Sequence, residues 1–190
     1  KENNFLGKGI NLNTNLELTA DSIKGQFIYA KPNFNYTDNT LFTSVKSSTS
    51  DFLTDSGYKT SEIGFSLGTK FEQFQNIFLS PEIDFLIEDL ETSDIASSTL
   101  KKQEGSYTDL YFNYSINQDL RDKKFRTEDG YITTFSQELP LVSDSAEFAN
   151  AFEVTKFRKL STTSDMVGKI SFFGKTITGL SDDVRISKRL

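Results

Sequence analysis

Residues 9–20, GINLNTNLELTA, alternate between two kinds of side chain. Ile and Leu occupy the even positions from 10 to 18 apart from Thr14, whereas Asn and Glu occupy the odd positions from 11 to 17. This period of two predicts a β-strand with one apolar face and one polar face. Two kinds of protein contain such a strand, because the apolar face can pack on a dry core or face the hydrocarbon of a bilayer.

The same alternation recurs along the chain, and a period of 3.6 residues is hard to find. It predicts an all-β, antiparallel fold of nine strands, at 9–20, 22–34, 41–50, 61–71, 77–90, 107–119, 131–141, 147–160 and 166–180. Short connections are predicted at 35–40, 72–76, 121–130 and 161–165, and longer ones at 51–60 and 89–106. At the end of the sheet that has the longer connections, only the connection near 19–22 is brief. Short turns at one end and longer loops at the other are typical of an up-and-down transmembrane barrel.

The length of the strands favours a membrane barrel over a soluble β-sandwich. A tilted strand needs about 9–11 residues to cross the hydrocarbon, whereas strands of globular proteins average about 5–6. Periodicity alone does not separate the two folds, so the sandwich stays an alternative. If the fold is a barrel, these residues are predicted to face lipid: Leu12, Leu16, Ile63, Phe65, Leu67, Ile83, Phe85 and Phe112.

Composition excludes several classes of function. The net charge is −6, from 21 basic and 27 acidic residues, and it lacks the basic excess of a nucleic-acid-binding protein. The sequence contains no Cys and no His, which removes disulfides, imidazole catalysis and most zinc sites. We therefore predict no catalytic residue, no metal ligand and no cofactor. The start at Lys1 without an initiator Met indicates a fragment or a processed product, and without a signal peptide the sequence does not itself report targeting.

Three stretches resemble chemical motifs and are interpreted otherwise. GKISFFGKT at 168–176 has one residue too many for a phosphate-binding loop, so Lys175 is interpreted as a lumen-facing strand residue. Glu82, Asp84 and Glu88 share one strand face and could bind a hard cation, but a hydrated polar face explains them. The charged stretch at 121–130 ends in Asp-Gly, which favours a turn in water over a patch that binds a partner.

Three turns resemble those of the BamA-type outer-membrane assembly factors, in the same order and spacing. NNFLGKG at 3–9 resembles the family's turn between its second and third barrel strands. AKPNF at 30–34 and LRDKKFRTEDGY at 120–131 resemble two later periplasmic turns. The residues that carry the resemblance are Phe5, Leu6, Gly7, Gly9, Pro32, Phe34, Asp122, Phe125 and Gly130. Phe5 stands where the family has Trp, and Arg126 where it has Pro.

The resemblance implies that residues 1–190 are part of one C-terminal transmembrane β-barrel. They would cover strands three to eleven of about sixteen and the start of the sixth extracellular loop, with the periplasmic POTRA domains and the barrel ends outside them. DDVRISKRL at 182–190 is similar to the approach to that loop. The family's loop arginine is followed by Gly-Phe and Arg185 by Ile186, so its role is not assigned to Arg185.

The function implied by the resemblance is folding and insertion of other barrel proteins into the outer membrane of a Gram-negative bacterium, without ATP. Its partners would be unfolded outer-membrane proteins, the lipid bilayer and accessory lipoproteins, and not nucleic acid. The alternatives are a related polypeptide-secretion or TamA-like pore, a passive porin, and a soluble β-sandwich binding module.

Overall fold

The computed structural model describes residues 2–161, 163, 165–180 and 184–189. These form one ten-stranded antiparallel sheet in which the strands lie in chain order. The strands are β1 (Glu2–Phe5), β2 (Ile10–Leu18), β3 (Ser22–Lys31), β4 (Thr40–Phe52), β5 (Tyr58–Phe74), β6 (Ile77–Thr92), β7 (Gly105–Asp119), β8 (Gly130–Ser143), β9 (Glu147–Lys159) and β10 (Val167–Gly179). Two one-turn helices, α1 (Ser98–Lys101) and α2 (Ile186–Arg189), lie outside the sheet. The predicted all-β, up-and-down architecture is confirmed.

The described part of the chain contains ten strands instead of nine, because Glu2–Phe5 pairs with the start of β2 around the turn at 6–9. Four residues are too few for alternation to reveal a strand. The central strands are longer than expected, with 17, 16 and 15 residues in β5, β6 and β7. This extra pairing shortens the connection predicted at 51–60 to residues 53–57, so the expectation of a long loop there is wrong. The connection at 144–146 is also brief, and 93–104 is the longest at this end.

The two faces of the sheet differ as the alternation predicts. Phe65 and Phe85 are register partners with 50% and 41% of their surface exposed, and they define the outer face. Their neighbours Leu86 and Glu88 point the other way, onto the inner face, and are buried. The apolar side chains therefore do not converge on a dry layer, as they would in a soluble sandwich.

The sheet is curved, with the inner face on the concave side. A cavity of about 500 Å³ lies against the inner face, and its lining includes Phe42 of β4 together with Phe173 and Lys175 of β10. Strands that are six apart in the sheet order thus contribute to one cavity. Among the described residues, no helix is long and apolar enough to cross a membrane.

The hairpin turn between β7 and β8 depends on backbone groups and on one glycine. The carboxylate of Asp122 accepts hydrogen bonds from the backbone N–H groups of Glu128 and Asp129, at 3.1 and 3.2 Å. Gly130 has φ of +108°, and a Cβ atom there would lie 2.2 Å from the carbonyl oxygen of Leu120. Only glycine fits this position without a shift of the backbone.

We predict that Gly130→Ala destabilises the protein by about 1–3 kcal/mol, because it adds a strained φ and a clash with backbone. Unfolding in urea of the full-length protein in detergent micelles measures the change. Gly174→Ala is the matched control, since its Cβ would meet nothing closer than 3.7 Å. Equal effects of the two substitutions would contradict the geometry of this turn.

Candidate functional site

Arg185 lies at the centre of a buried ionic cluster on the inner face, formed with Glu88, Asp109 and Glu147. Its Nη1 atom donates to Glu88 Oε2 at 3.0 Å, and its Nη2 atom donates to Asp109 Oδ2. Its backbone N–H donates to Glu147 Oε1 at 2.8 Å. The four side chains have 0–1% of their surface exposed, so water does not screen these charges.

Three different strands supply the carboxylates of the buried ionic cluster. Glu88 lies on β6, Asp109 on β7 and Glu147 at the start of β9. Each points from the inner face of its strand. All three lie near the strand ends on the side of the 93–104 connection, so they are at a similar height along the wall. They therefore hold the segment 184–189, which follows β10 in the chain, against the inner face.

Aromatic and amide groups complete the surroundings of the guanidinium. Its Nη2 atom also donates to the hydroxyl of Tyr111 at 3.3 Å. The guanidinium carbon lies 4.6 Å from the ring centroid of Tyr107, a cation–π distance. The backbone N–H of Ile186 donates to Gln103 Oε1 at 3.1 Å, which ties the same segment to the 93–104 connection.

The buried ionic cluster contains more negative than positive groups. Arg185 faces three carboxylates, and Glu88 Oε1 and Glu147 Oε2 have no hydrogen-bond partner among the described residues. Lys188 adds a second cation nearby, with its Nζ atom 4.6 Å from the Tyr111 ring centroid and 3.6 Å from a carboxylate oxygen of Glu138. In the described residues, no group of His, Cys, Asp or Glu is arranged to hold a metal ion. The chemistry of the site is charge pairing that anchors a loop.

The acidic stretch singled out in the sequence does share one face, and its members have separate roles. Glu88 joins the buried ionic cluster. Asp84 accepts a hydrogen bond from the side-chain amide of Asn113 at 2.9 Å. Glu82 and Lys175 both line the inner cavity, so Lys175 belongs to a strand and not to a phosphate-binding loop.

The three turns that resemble the family motifs lie at one end of the sheet. Gly7 and Gly9 both have φ of +68°, and the N–H of Gly9 donates to Asn4 Oδ1 at 2.6 Å. The remaining apolar members of the motifs are exposed or half-buried at the turns: Phe5, Leu6, Pro32, Phe34 and Phe125. Arg126 has φ of +52°, which proline cannot adopt, so the departure from the family's Pro accompanies a different backbone conformation.

The charges of the third turn form ion pairs with the end of β9. Glu128 accepts hydrogen bonds from Lys159 at 2.7 Å and Lys123 at 3.0 Å, and these bonds lower the pKa of its carboxyl group. Arg158 donates to Asp129 at 3.1 Å. These pairs fix the turn against its neighbouring hairpin, as expected for a structural turn.

The residues predicted to face lipid divide into two groups. Leu16, Ile63, Phe65, Leu67, Ile83 and Phe85 are exposed on the outer face, whereas Leu12 and Phe112 are half-buried there. Contact between these eight residues and lipid stays a prediction.

Sequence reasoning missed Asp109, Tyr111 and Glu147, and it did not assign Arg185. The available signal was the Val184-Arg185 pair, which was set aside because Gly-Phe does not follow it. The structure places Arg185 at the centre of the buried ionic cluster although Ile186 follows it. Residues 181–183 and 190 of the same stretch lie outside the described residues.

A curved sheet of sequential antiparallel strands, apolar outside and polar inside, is the wall of an up-and-down β-barrel. A family model described as the Omp85 superfamily domain matches residues 4–189, and the chain therefore belongs to the Omp85 superfamily.

The fold is similar to that of a solved member of this class. The crystal structure of BamA from Haemophilus ducreyi lacking POTRA domains 1–3 superposes with a TM-score of 0.76 at 17% sequence identity. The match covers 94% of this chain and 37% of the BamA chain. A search of curated proteins finds no match. The resemblance to a BamA-type barrel is confirmed at the level of family and fold.

We predict that Arg185→Met destabilises the folded protein by about 3–5 kcal/mol, because it leaves three buried carboxylates without their cation. Arg121→Met is the control, since its 2.8 Å pair with Asp119 is accessible to water and is expected to contribute much less to stability. Heat-modifiable gel mobility and urea unfolding of the full-length protein measure both. A loss no larger than that of the control would contradict an anchoring role for the buried ionic cluster.

Proposed function

We propose that this chain forms part of the barrel of an outer-membrane assembly factor that folds and inserts other β-barrel proteins without ATP. One observation carries the proposal: a BamA-like sheet with its apolar side chains outside and a loop arginine paired inside it. Membership of the Omp85 superfamily supports it. The proposed role is that of an assembly factor and not of an enzyme, and it requires neither cofactor nor nucleic acid.

The driving force in this proposal comes from the client protein. An unpaired backbone N–H or C=O group in hydrocarbon costs several kcal/mol, so a client strand gains free energy when it pairs. A strand edge elsewhere in the complete barrel would act as a template for that pairing. The strands described here would be the stable wall that holds the template in the bilayer, and the buried ionic cluster would keep the 184–189 segment inside it.

The proposed surroundings follow from the same reasoning. The outer face would contact the lipid of the outer membrane of a Gram-negative bacterium. The polar inner face would enclose water. Unfolded outer-membrane proteins would be the clients, with accessory lipoproteins as further partners.

Reconstitution of the full-length protein tests the function. Urea-denatured outer-membrane protein is added to phospholipid vesicles that contain the protein, with no nucleotide present. We expect faster folding of the client, seen as heat-modifiable gel mobility, than with vesicles that contain a passive porin. Client that stays unfolded contradicts the proposal, and client that enters the vesicle interior favours the secretion pore instead.

We predict that a charge on the outer face is costly. Phe65→Arg should destabilise the full-length protein in vesicles by about 2–4 kcal/mol, because this position lies in the proposed lipid band. Phe65→Leu is the matched control, as it removes the ring but keeps an apolar side chain. Unfolding in urea measures both, and equal stability of the two variants would count against contact with lipid.

A further inference from the structure

The outer face carries one continuous row of polar side chains among its apolar ones. Tyr114, Gln137, Asn150 and Thr176 lie on β7, β8, β9 and β10 and are register partners from each strand to the next. We call these four residues the outer polar row. No alternation within a single strand reveals it, because only pairing across strands brings its members together.

Neighbouring residues establish that the outer polar row faces outward. The next row toward the 120–129 turn contains Ile116, Phe135 and Phe152, again register partners, and Phe152 has 41% of its surface exposed. The ring of Tyr114 lies 6.3 Å from that of Phe135, centroid to centroid. Asn113, beside Tyr114 in the chain, points to the inner face and binds Asp84.

The side-chain hydrogen bonds from Tyr114 through Gln137 to Asn150 leave amide N–H donors without a partner. The hydroxyl of Tyr114 donates to Gln137 Oε1 at 2.7 Å, and Gln137 Nε2 donates to Asn150 Oδ1 at 2.7 Å. A side-chain amide has two N–H donors. Gln137 therefore keeps one and Asn150 keeps both, and the described residues supply no partner for them.

The outer face of β5 and β6 differs from this row. Its mid-strand pairs are apolar, as in Phe65–Phe85 and Leu67–Ile83, and the register partner of Tyr114 on β6 is Pro81, which has no side-chain donor. In hydrocarbon, an amide group without a hydrogen-bond partner costs several kcal/mol. The outer polar row thus requires acceptors from its surroundings.

The shape of the outer polar row indicates what supplies them. Strands lie about 4.8 Å apart, so a row across four strands extends about 14 Å. Because strands of a membrane barrel tilt by about 35–45°, the row climbs through the bilayer instead of lying at one depth. Tyr114 lies five residues from the end of β7 at the 120–129 turn, whereas Asn150 lies three residues from the opposite end of β9, so the path leads from inside the wall towards the interface at the 144–146 connection. Water fits such a path, since it enters from the interface and accepts hydrogen bonds at each step.

We propose that the outer polar row binds a file of water molecules along the outside of β7–β10 and so hydrates the hydrocarbon next to this wall. The inference rests on the proposed membrane position of the outer face. Its consequence is a strip of loosened lipid beside these strands, away from the apolar surface of β5 and β6.

Heavy water close to a spin label modulates the electron spin echo of that label, and this deuterium modulation measures water at the wall directly. The sequence contains no Cys, so Phe152→Cys places a label in this region beside Asn150, and Phe65→Cys places a control label on β5. The full-length protein is reconstituted in vesicles in heavy water. We expect modulation from the label at 152 and none from the label at 65. We also expect loss of the modulation at 152 when Tyr114→Phe, Gln137→Leu and Asn150→Leu are combined with it.

The possible outcomes test the water proposal and the membrane position of the outer face separately. A label at 152 that reports no water, or modulation that survives the triple substitution, overturns the proposal. Immobilisation of a dry label at 152 also overturns it and indicates a protein partner on the row. Modulation at both labels overturns the proposal together with the membrane position of the outer face. Asn150→Leu alone, which removes both free N–H groups of that amide, is expected to reduce the modulation if the triple variant does not fold.

Discussion

The structure depends on the pairing of every strand with its neighbours in the chain. That pairing satisfies the backbone N–H and C=O groups within the sheet, which a bilayer interior requires because it offers no other partners. It also fixes the register, so that Phe65 meets Phe85 on the outer face while Glu88 points inward. A shift by one residue along a whole strand would exchange its two faces, so the register is what allows a wall to be apolar on one side and polar on the other. Register shifts among the described residues occur at single points in the pairs β1–β2, β5–β6 and β7–β8.

The polar inner face makes a loop anchor of the observed kind possible. A guanidinium can be buried only where carboxylates compensate its charge, and the inner face provides three of them at one level of the wall. The attraction between Arg185 and the carboxylates is strong because water is excluded, but each partner alone would be destabilising there. Such a site therefore favours the bound position of the segment over any position that separates the charges. It is suited to holding a loop in place.

Sequence reasoning reached the fold because alternation is a local property. The strict alternation of 61–71 and 77–90 predicted both central strands and the outward direction of Phe65 and Phe85. It missed Glu2–Phe5, which is too short to show a period, and it misjudged the connection at 51–60, where pairing continues further than the pattern suggested. The buried ionic cluster was beyond its reach, because Glu88, Asp109 and Glu147 are far apart in the chain and only the register brings them to one level. The same holds for the outer polar row, because the contact between Gln137 and Asn150 exists only across strands.

The two polar features of the wall differ in how they are compensated. Inside, charged groups compensate one another, and the residual unpaired oxygens of Glu88 and Glu147 lie in a region that already contains cations. Outside, Tyr114, Gln137 and Asn150 are uncharged and satisfy one another in one direction only, so free donors remain at the end of the chain of hydrogen bonds. The mid-strand outer-face pairs of β5 and β6, such as Phe65–Phe85, contain no such donors. In the proposed membrane position these free N–H groups need acceptors from outside the protein, and water held along the wall would supply them.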